Sequence, residues 1–320
     1  MILKQNTIPL RITQDETLLR RLPNFHPKRT AIEDDLSRRT AGYRGEQALA
    51  YQLQRLPDDR FTILQDIRLQ NGPLFFQMDT LVISPHFLLI IEVKNISGTL
   101  FFDTTFNQLV RKINQTEEGF RNPLTQVKYQ EGQLKLWLLT MKFPKIPVEH
   151  IIAIGNPSTV LTTNARDTTI YQKVLHVENV VDKILEIERK YRNNGRIDFN
   201  PKSISKKIIR KHTPLSIDIL AAYKIPQTDI LTGVQCPTCL SLPMIRKHGE
   251  WYCTTCKLKF KNAHEIAIQD HFQIISPTIT NKQCREFLHL DSTKVANKIL
   301  TNMDLITMGR TKDRVYSSAT

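Results

Sequence analysis

Three charged residues stand at spacings that suit metal-assisted chemistry on a phosphodiester. Asp79 lies in one strand-like run, and Glu92 and Lys94 lie two residues apart in the next run. Side chains alternate between the faces of a strand, so Glu92 and Lys94 share one face and Val93 points to the other. Mg²⁺ prefers carboxylate oxygens, and a bound cation neutralises charge that builds on phosphate. The pattern alone also fits a solvated strand face with a surface ion pair.

A second group of residues is typical of a structural metal site. Two C-x-x-C pairs are separated by 13 residues, with the cysteines at Cys236, Cys239, Cys253 and Cys256. Four thiolates suit tetrahedral Zn²⁺ and leave no open position for a catalytic water, which predicts a structural zinc ribbon. The aromatic residues of this segment, Trp251 among them, fit either stacking on nucleic-acid bases or the small core of the ribbon.

Strands with helices on both sides must position the three charged residues. The apolar pattern predicts helices over 41–56, 123–140 and 177–192, and strands over 61–69, 75–83, 87–94, 98–102, 106–112 and 148–155. The short connection 84–86 predicts a hairpin that brings Asp79 near Glu92 at the open end of the sheet. The expected fold class is therefore α/β.

Four motifs in this chain resemble the nuclease-related domain (NERD) family of the restriction-endonuclease-like PD-(D/E)XK superfamily. They are Gly42-x-x-Gly45-Glu46, Gln77-Met78-Asp79, Ile91-Glu92-Val93-Lys94-Asn95-x-x-Gly98 and Arg121-Asn122-Pro123-x-x-Gln126. The resemblance covers about residues 42–140, with the sheet continuing towards Gly155. It implies a restriction-endonuclease-like mixed sheet flanked by helices.

The resemblance also implies roles for individual residues. Asp79, Glu92 and Glu46 would be ligands of Mg²⁺ or Mn²⁺. Lys94 would orient the attacking water or stabilise the transition state, and Gln126 would contact substrate or water. The proline that precedes the first acid elsewhere in the superfamily is absent here. Without the resemblance, Glu46 reads as an exposed helix residue and Gln126 as a helix cap or surface side chain.

The segment after the ribbon resembles a winged helix-turn-helix. Helices are predicted over 263–274, 280–288 and 293–303, followed by a wing over 305–316. The candidate nucleic-acid contacts are Lys294, Asn297 and Lys298 for a major groove, and Arg310, Lys312 and Arg314 for phosphate or minor groove. A small helical cap with a charged surface is the alternative.

The composition favours a polyanionic partner. The chain has 320 residues, a formal net charge of +14 and 40% hydrophobic residues, which excludes a largely disordered chain. More than half of the positive excess follows residue 200. We expect nucleic acid, DNA in particular, as the partner. No apolar run approaches the ~18 residues of a membrane span, and the start lacks a signal peptide, so we expect a cytoplasmic protein with no membrane partner. The resemblance to related nucleases also suggests a homodimer.

The sequence predicts five segments: an N-terminal extension (1–40), a nuclease-like domain (41–195), a basic linker (196–232), the zinc ribbon (233–261) and the helix-turn-helix-like module (262–320). The basic residues of the linker, among them Lys206, Lys207, Arg210 and Lys211, also fit a basic helix that leads out of the domain. The leading hypothesis is a metal-dependent nuclease active in DNA processing. The alternative is a non-catalytic DNA-binding or regulatory protein that uses the two C-terminal modules. A third hypothesis makes the ribbon an interaction module without DNA contact.

Overall fold

A computed structural model describes residues 1–164, 169–193, 199–310 and 313–318. The chain divides into two compact units, one of residues 1–9 and 38–216 and the other of residues 10–37 and 217–320. Residues 1–40, predicted as one extension, are therefore shared between the units. Strand β1 (Ile2–Lys4) pairs within the first unit, whereas helix α1 (Leu10–Arg21) buries Leu18 in a core of the second.

A mixed sheet forms the centre of the first unit. Its strands are β1, β2 (Thr62–Asn71), β3 (Leu74–Ile83), β4 (Leu88–Lys94), β8 (Val148–Ile154) and β10 (Val174–His176), in that order across the sheet. Strands β2, β3 and β4 are antiparallel neighbours, and β4, β8 and β10 are parallel neighbours. The α/β fold class that the sequence predicts is confirmed.

Helices cover both faces of this sheet. They are α2 (Arg29–Leu53), α3 (Pro123–Thr140), α4 (Thr169–Lys173), α5 (Val180–Arg192) and α6 (Pro201–Lys211), with a 3-10 turn at Val177–Asn179. Apolar residues of α3 and α6 pack on one face, and those of α2 and α5 on the other. In β4, Ile90 faces α3 while Ile91 and Val93 face α2, so the alternation that the sequence predicts holds up to the site.

Helix α6 lies in the stretch for which the sequence predicts a basic linker or a basic helix, and the structure shows the helix. Ile204 and Ile208 stand four residues apart, and both are fully buried in the core on the α3 face. The side chain of Asn200 caps the helix by accepting the N–H of Lys202 at 2.9 Å. This basic stretch therefore forms a short amphipathic helix, with apolar residues on the face that packs on the core and basic residues on the other face.

A smaller sheet accompanies the central one in the first unit. It consists of β7 (Thr116–Arg121), β6 (Gln108–Ile113), β5 (Thr99–Asp103) and β9 (Val160–Thr163), in that spatial order. The sequence does not predict β7, because its residues are polar and mostly exposed and show no apolar alternation.

The second unit combines a ribbon with a helical module. Its elements after α1 are α7 (Ile219–Tyr223), a 3-10 turn at Gln227–Asp229, β11 (Ile245–Lys247), β12 (Glu250–Tyr252), β13 (Lys259–Phe260), α8 (Ala263–Ile274), β14 (Thr278–Thr280), α9 (Asn281–Leu288), α10 (Thr293–Asn302), β15 (Leu305–Met308) and β16 (Val315–Ser318). Thr280 caps α9 in a capping box with Gln283. Among the described residues, no helix has both the length and the apolar character to cross a membrane.

Candidate functional site

The pairing of β3 with β4 ends just before Asp79 and Glu92. The paired residues run from Ile83 and Leu88 to Thr80 and Ile91, and this last pair lies next to Asp79 and Glu92. Beyond that pair, the main-chain N–H of Val93 donates to Asp79 Oδ2 at 2.9 Å. A carboxylate therefore takes the place of a strand carbonyl, and the two strands separate around it.

The neighbouring strand β2 is irregular at the same level. Its pairing with β3 is continuous except at Asp66, which has a left-handed backbone with φ of +49°. Leu64 and Ile67, three residues apart, contact the same core. The strand thus changes face around Asp66, which no alternating pattern in the sequence would predict.

Glu92 is the most heavily hydrogen-bonded acid of the site. Its side chain is 2% exposed. Oε1 lies 2.6 Å from Lys94 Nζ and accepts from Gln126 Nε2 at 2.7 Å, while Oε2 accepts from Gln130 Nε2 at 2.9 Å. Lys94 Nζ also donates to Gln126 Oε1 at 3.2 Å. The strand and helix α3 are thereby joined through one carboxylate.

Gln130 is a site residue that the sequence did not predict. It is 4% exposed, and its Oε1 is buried without a hydrogen-bond partner. The one signal for it is its spacing, because residues four apart on a helix share a face and Gln126 is four residues earlier. Asn122 starts this helix as predicted: its side chain accepts the N–H of Leu124 at 2.9 Å.

Close backbone packing brings Glu46 to the site. A Cβ on the preceding residue, Gly45, would lie 2.6 Å from Asn95 Cβ, and one on Gly155 would lie 2.9 Å from Gly45 Cα. Asn95 Nδ2 donates to the carbonyl of Ala41 at 2.7 Å. The absence of side chains at Gly45 and Gly155 lets α2 approach the ends of β4 and β8.

The charges of these residues act on one another. Burial raises the pKa of Asp79 well above its usual value, and the negative charges of Glu92 and Glu46 raise it further. Burial also raises the pKa of Glu46, while its hydrogen bond with Asn6 works in the opposite direction. Lys94 favours the ionised form of both acids. We call Glu46, Asp79, Glu92 and Lys94 the acid cluster.

The N-terminal segment, strand β1 and the residues just after it, supplies polar groups beside the acid cluster. Asn6 Nδ2 donates to Glu46 Oε2, and the N–H of Asn6 donates to Gln65 Oε1 at 3.0 Å. Lys4 Nζ donates to the carbonyls of Gln65 and Asp66 at 2.8 Å each. The sequence does not predict these contacts, because the segment lies about forty residues before Glu46 and has no recognisable motif.

The acid cluster offers the donors that a hard cation prefers, without a closed ligand shell. Glu46, Asp79 and Glu92 present carboxylate oxygens, and burial followed by the charges of the other two acids raises the pKa of Asp79. Within the described parts of the chain, however, these three acids do not bring one oxygen each to within 4.8 Å of the others. The donor chemistry fits Mg²⁺ or Mn²⁺, but with metal–oxygen bonds of ~2.1 Å the three acids as placed cannot all bind one ion directly, so at least one would act through a bound water or after a side-chain movement.

The four ribbon cysteines do form a compact ligand set. Their Sγ atoms all lie within 4.8 Å of one another, with Cys236 and Cys256 3.6 Å apart and Cys239 and Cys253 3.4 Å apart. Tetrahedral zinc with Zn–S bonds of ~2.3 Å requires sulfur separations of roughly 3.8 Å. The cluster can therefore hold a metal ion of that kind.

The structure decides between the two interpretations of Trp251. Its side chain is 1% exposed and its Nε1 donates to His264 Nδ1 at 3.0 Å, so it belongs to the core of the second unit. Burial, followed by the positive charge of Arg246, lowers the pKa of His264 to about 4. His264 is thus a neutral acceptor that belongs to the core of the second unit.

The candidate nucleic-acid contacts lie on the surface of the second unit. Lys294, Asn297 and Lys298 are exposed on α10, and Arg310 is exposed after β15. Asn297 Oδ1 also accepts from the hydroxyl of Tyr316 at 3.2 Å, so its carbonyl is used within the module. Lys312 lies outside the described residues.

Comparison with known proteins identifies one family. Residues 41–155 match the sequence profile of the nuclease-related domain. Neither curated proteins nor solved structures gave a match. The matched segment contains Glu46, Asp79, Glu92, Lys94 and Gln126. The resemblance inferred from the four motifs is thus supported over the segment that carries the acid cluster. This segment, residues 41–155, is similar to the nuclease-related domain (NERD) family.

Proposed function

We propose that this protein is a nuclease that hydrolyses phosphodiester bonds, in DNA, with Mg²⁺ or Mn²⁺. The observation that carries the proposal is the meeting of Asp79, Glu92 and Lys94 where the β3–β4 ladder ends. This occurs inside a segment that matches a nuclease-related domain. A solvated strand face would not need Glu92 to be 2% exposed and held by two glutamines.

The three acids would hold the cation, with at least one of them acting through a bound water or after a side-chain movement. Asp79 and Glu92 stand on adjacent strands, and Glu46 reaches them from α2 through the close packing at Gly45. Their repulsion, which is costly in a partly buried place, would be relieved by a positive ion. A bound divalent ion supplies an acidified water and neutralises negative charge on the scissile phosphate.

Lys94 and Gln126 would act on the reacting groups. The side-chain nitrogen of Lys94 lies 2.6 Å from Glu92 Oε1 and 3.2 Å from Gln126 Oε1, which hold it in place. In that position it would orient the attacking water or stabilise charge on the phosphorus centre. Gln126, fixed by Glu92 and Lys94, has its amide placed to contact the substrate or the water.

The second unit would hold the nucleic acid. The order of α8, β14, α9, α10, β15 and β16, with β14, β16 and β15 in one sheet, supports the resemblance to a winged helix-turn-helix. Lys294, Asn297 and Lys298 would enter a groove, and Arg310 would contact phosphate. Zinc in the four-cysteine site would stabilise the ribbon without taking part in the reaction. Affinity should fall as salt rises.

A non-catalytic DNA-binding or regulatory protein is the second candidate function. One observation favours it: both carboxylate oxygens of Glu92 already accept hydrogen bonds from protein groups. The three acids also lack a common set of oxygens within 4.8 Å among the described residues. In that case the first unit would serve as a scaffold, and binding would depend on the second unit alone.

Two further properties complete the proposal. We place the protein in the cytoplasm, and we keep a homodimer as the expected assembly. Size-exclusion chromatography with light scattering of the full chain tests the assembly, since a dimer doubles the measured mass from 37.1 kDa.

Cleavage assays separate the candidate functions. The purified full chain is incubated with labelled single-stranded, duplex and branched DNA and with RNA, with and without Mn²⁺, beside Asp79→Ala and Lys94→Ala variants. We expect Mn²⁺-dependent cleavage by the wild type and none by either variant. Equal cleavage by all three proteins would contradict the proposal. Binding without cleavage would favour the non-catalytic function.

A further inference from the structure

An exposed aromatic side chain lies in a turn that is hydrogen-bonded to helix α3. Phe106, in the turn between β5 and β6, is 77% exposed. A ring of this size left in water forgoes the free energy of burial that most phenylalanines gain. Single exposed apolar residues are common, so exposure alone has no functional meaning. For Phe106, the hydrogen bonds that hold its turn and join it to helix α3 give the exposure a functional meaning.

The turn that carries Phe106 is held by a network of polar groups. Asp103, 7% exposed, accepts the N–H of Thr105 at 2.9 Å and that of Phe106 at 3.2 Å through Oδ1. Asn164 donates to the same oxygen at 3.0 Å and accepts the N–H of Thr104 at 2.8 Å. The backbone under Phe106 is therefore fixed, and the ring is presented at low cost in conformational entropy.

The same turn is tied to the helix that serves the acid cluster. Asn107 Oδ1 accepts from Asn122 Nδ2 at 2.8 Å, and Asn107 Nδ2 donates to Thr125 Oγ1 at 3.0 Å. Asn122 caps α3, and Gln126, one turn further, reaches Glu92. Phe106 is thus linked to the acid cluster through its neighbour Asn107 and the first turn of helix α3.

An exposed cation lies on the neighbouring strand, at the same end of the small sheet as this turn. Arg121, at the end of β7, pairs in register with Gln108, two residues after Phe106. Its side chain is exposed, and it directly precedes the cap of α3. An aromatic face and a guanidinium on one edge match the base and the phosphate of a nucleotide.

We propose that Phe106 stacks on an unpaired nucleobase of the nucleic-acid substrate while Arg121 contacts the adjoining phosphate. This inference rests on the proposed nuclease function and deepens it, since it names the substrate class: single strands, or duplexes with an unpaired base next to the cut. Stacking needs an accessible base face, which an intact duplex does not offer.

Photocrosslinking tests the contact independently of cleavage. The full chain carrying Asp79→Asn, which does not cut in the proposed mechanism, is irradiated with single strands that contain 5-iodouracil, and the crosslinked peptide is mapped by mass spectrometry. We expect a crosslink at Phe106, its retention in Phe106→Trp and its loss in Phe106→Ala. Tyr51→Ala removes a similarly exposed aromatic (69%) on α2 and should leave the yield unchanged.

Cleavage rates supply the second measurement. With Asp79 restored, Phe106→Ala should slow cleavage of single strands by about fivefold or more and leave any cleavage of intact duplex unchanged. No crosslink at Phe106, or equal rates for Phe106→Ala and wild type on single strands, would overturn the stacking proposal alone. A wild type that binds single strands through Phe106 yet cuts nothing would instead overturn the nuclease function.

Discussion

The main-chain N–H of Val93 donates to Asp79 Oδ2 at 2.9 Å, where the ladder between their two strands has just ended. This bond holds the carboxylate of Asp79 where the two strands separate. Because side chains alternate along a strand, the next residue of β4, Lys94, lies on the opposite face from Val93. The separation of β3 from β4 is the structural basis of the acid cluster, because it places Asp79 beside Glu92 at positions where the two strands are no longer paired.

The two glycines of the first motif should differ in their response to alanine. Gly45→Ala places a Cβ 2.6 Å from Asn95 Cβ and should destabilise the protein by about 1–3 kcal/mol as α2 moves away from the sheet. A Cβ added to Gly42 would meet no atom within 4 Å, so Gly42→Ala should stabilise the helix by roughly 1 kcal/mol. Urea unfolding measures both. Equal effects would argue against close packing at Gly45.

Asn6→Ala should move the acid limb of the pH–rate profile to higher pH. Burial raises the pKa of Glu46, and the hydrogen bond from Asn6 lowers it, so loss of that bond raises the pKa further. If the ionised carboxylate is the active form, cleavage then needs a higher pH. Single-turnover rates between pH 5 and 8 measure the shift. Gln5→Ala, at an exposed neighbour, is the control and should leave the limb in place.

Asp79→Asn should stabilise the protein when no divalent ion is added. The folded state raises the pKa of Asp79, so it holds a proton that the unfolded chain has already lost, and stability falls as pH rises from the unfolded pKa to the folded one. Asparagine removes that penalty. Thermal melting should therefore show a variant several degrees more stable than wild type at pH 8, with the difference shrinking towards pH 4.

Divalent ions should reduce the same difference. Addition of Mg²⁺ raises the melting temperature of the wild type more than that of Asp79→Asn if the carboxylate holds the cation. A constant difference between the two proteins at every pH and ion concentration would contradict the electrostatic account of Asp79.

Zinc content should separate the four ribbon cysteines from the fifth. Cys236→Ser breaks the ligand set and should lose the single zinc ion and the fold of the ribbon, because structural zinc in small domains contributes on the order of 10 kcal/mol. Cys284, buried in the same core, lies outside the set, and Cys284→Ala should keep its zinc. Elemental analysis of both proteins gives the answer; equal zinc in the two would exclude the proposed site.

Much of this architecture is encoded locally and could be predicted. The periodicity of 75–83 and 87–94 predicts the strands, and the alternation places Glu92 and Lys94 on one face. Asn122 before Pro123 marks the start of α3, and the cysteine spacing marks the ribbon. In each case the deciding interaction lies within a few residues, so the sequence pattern contains it.

Long-range contacts explain what the sequence does not predict. Asn6 meets Glu46, and Lys4 meets Asp66, only because β1 adds to the edge of β2, and no local pattern reports that pairing. The turn at Asp66 reverses strand alternation through a left-handed backbone at a residue other than glycine. The burial of Trp251 likewise depends on a partner, His264, supplied by a separate helix.

The rate of cleavage by Lys94→Met tests the central claim most directly. The substitution removes the amine of the acid cluster and leaves all three carboxylates in place, and Lys128→Met, an exposed lysine on α3, is the matched control. At saturating Mn²⁺ we predict that Lys94→Met lowers the single-turnover rate on DNA by about 100-fold or more, while the control stays within about twofold of wild type. Equal rates for Lys94→Met and wild type would contradict the account.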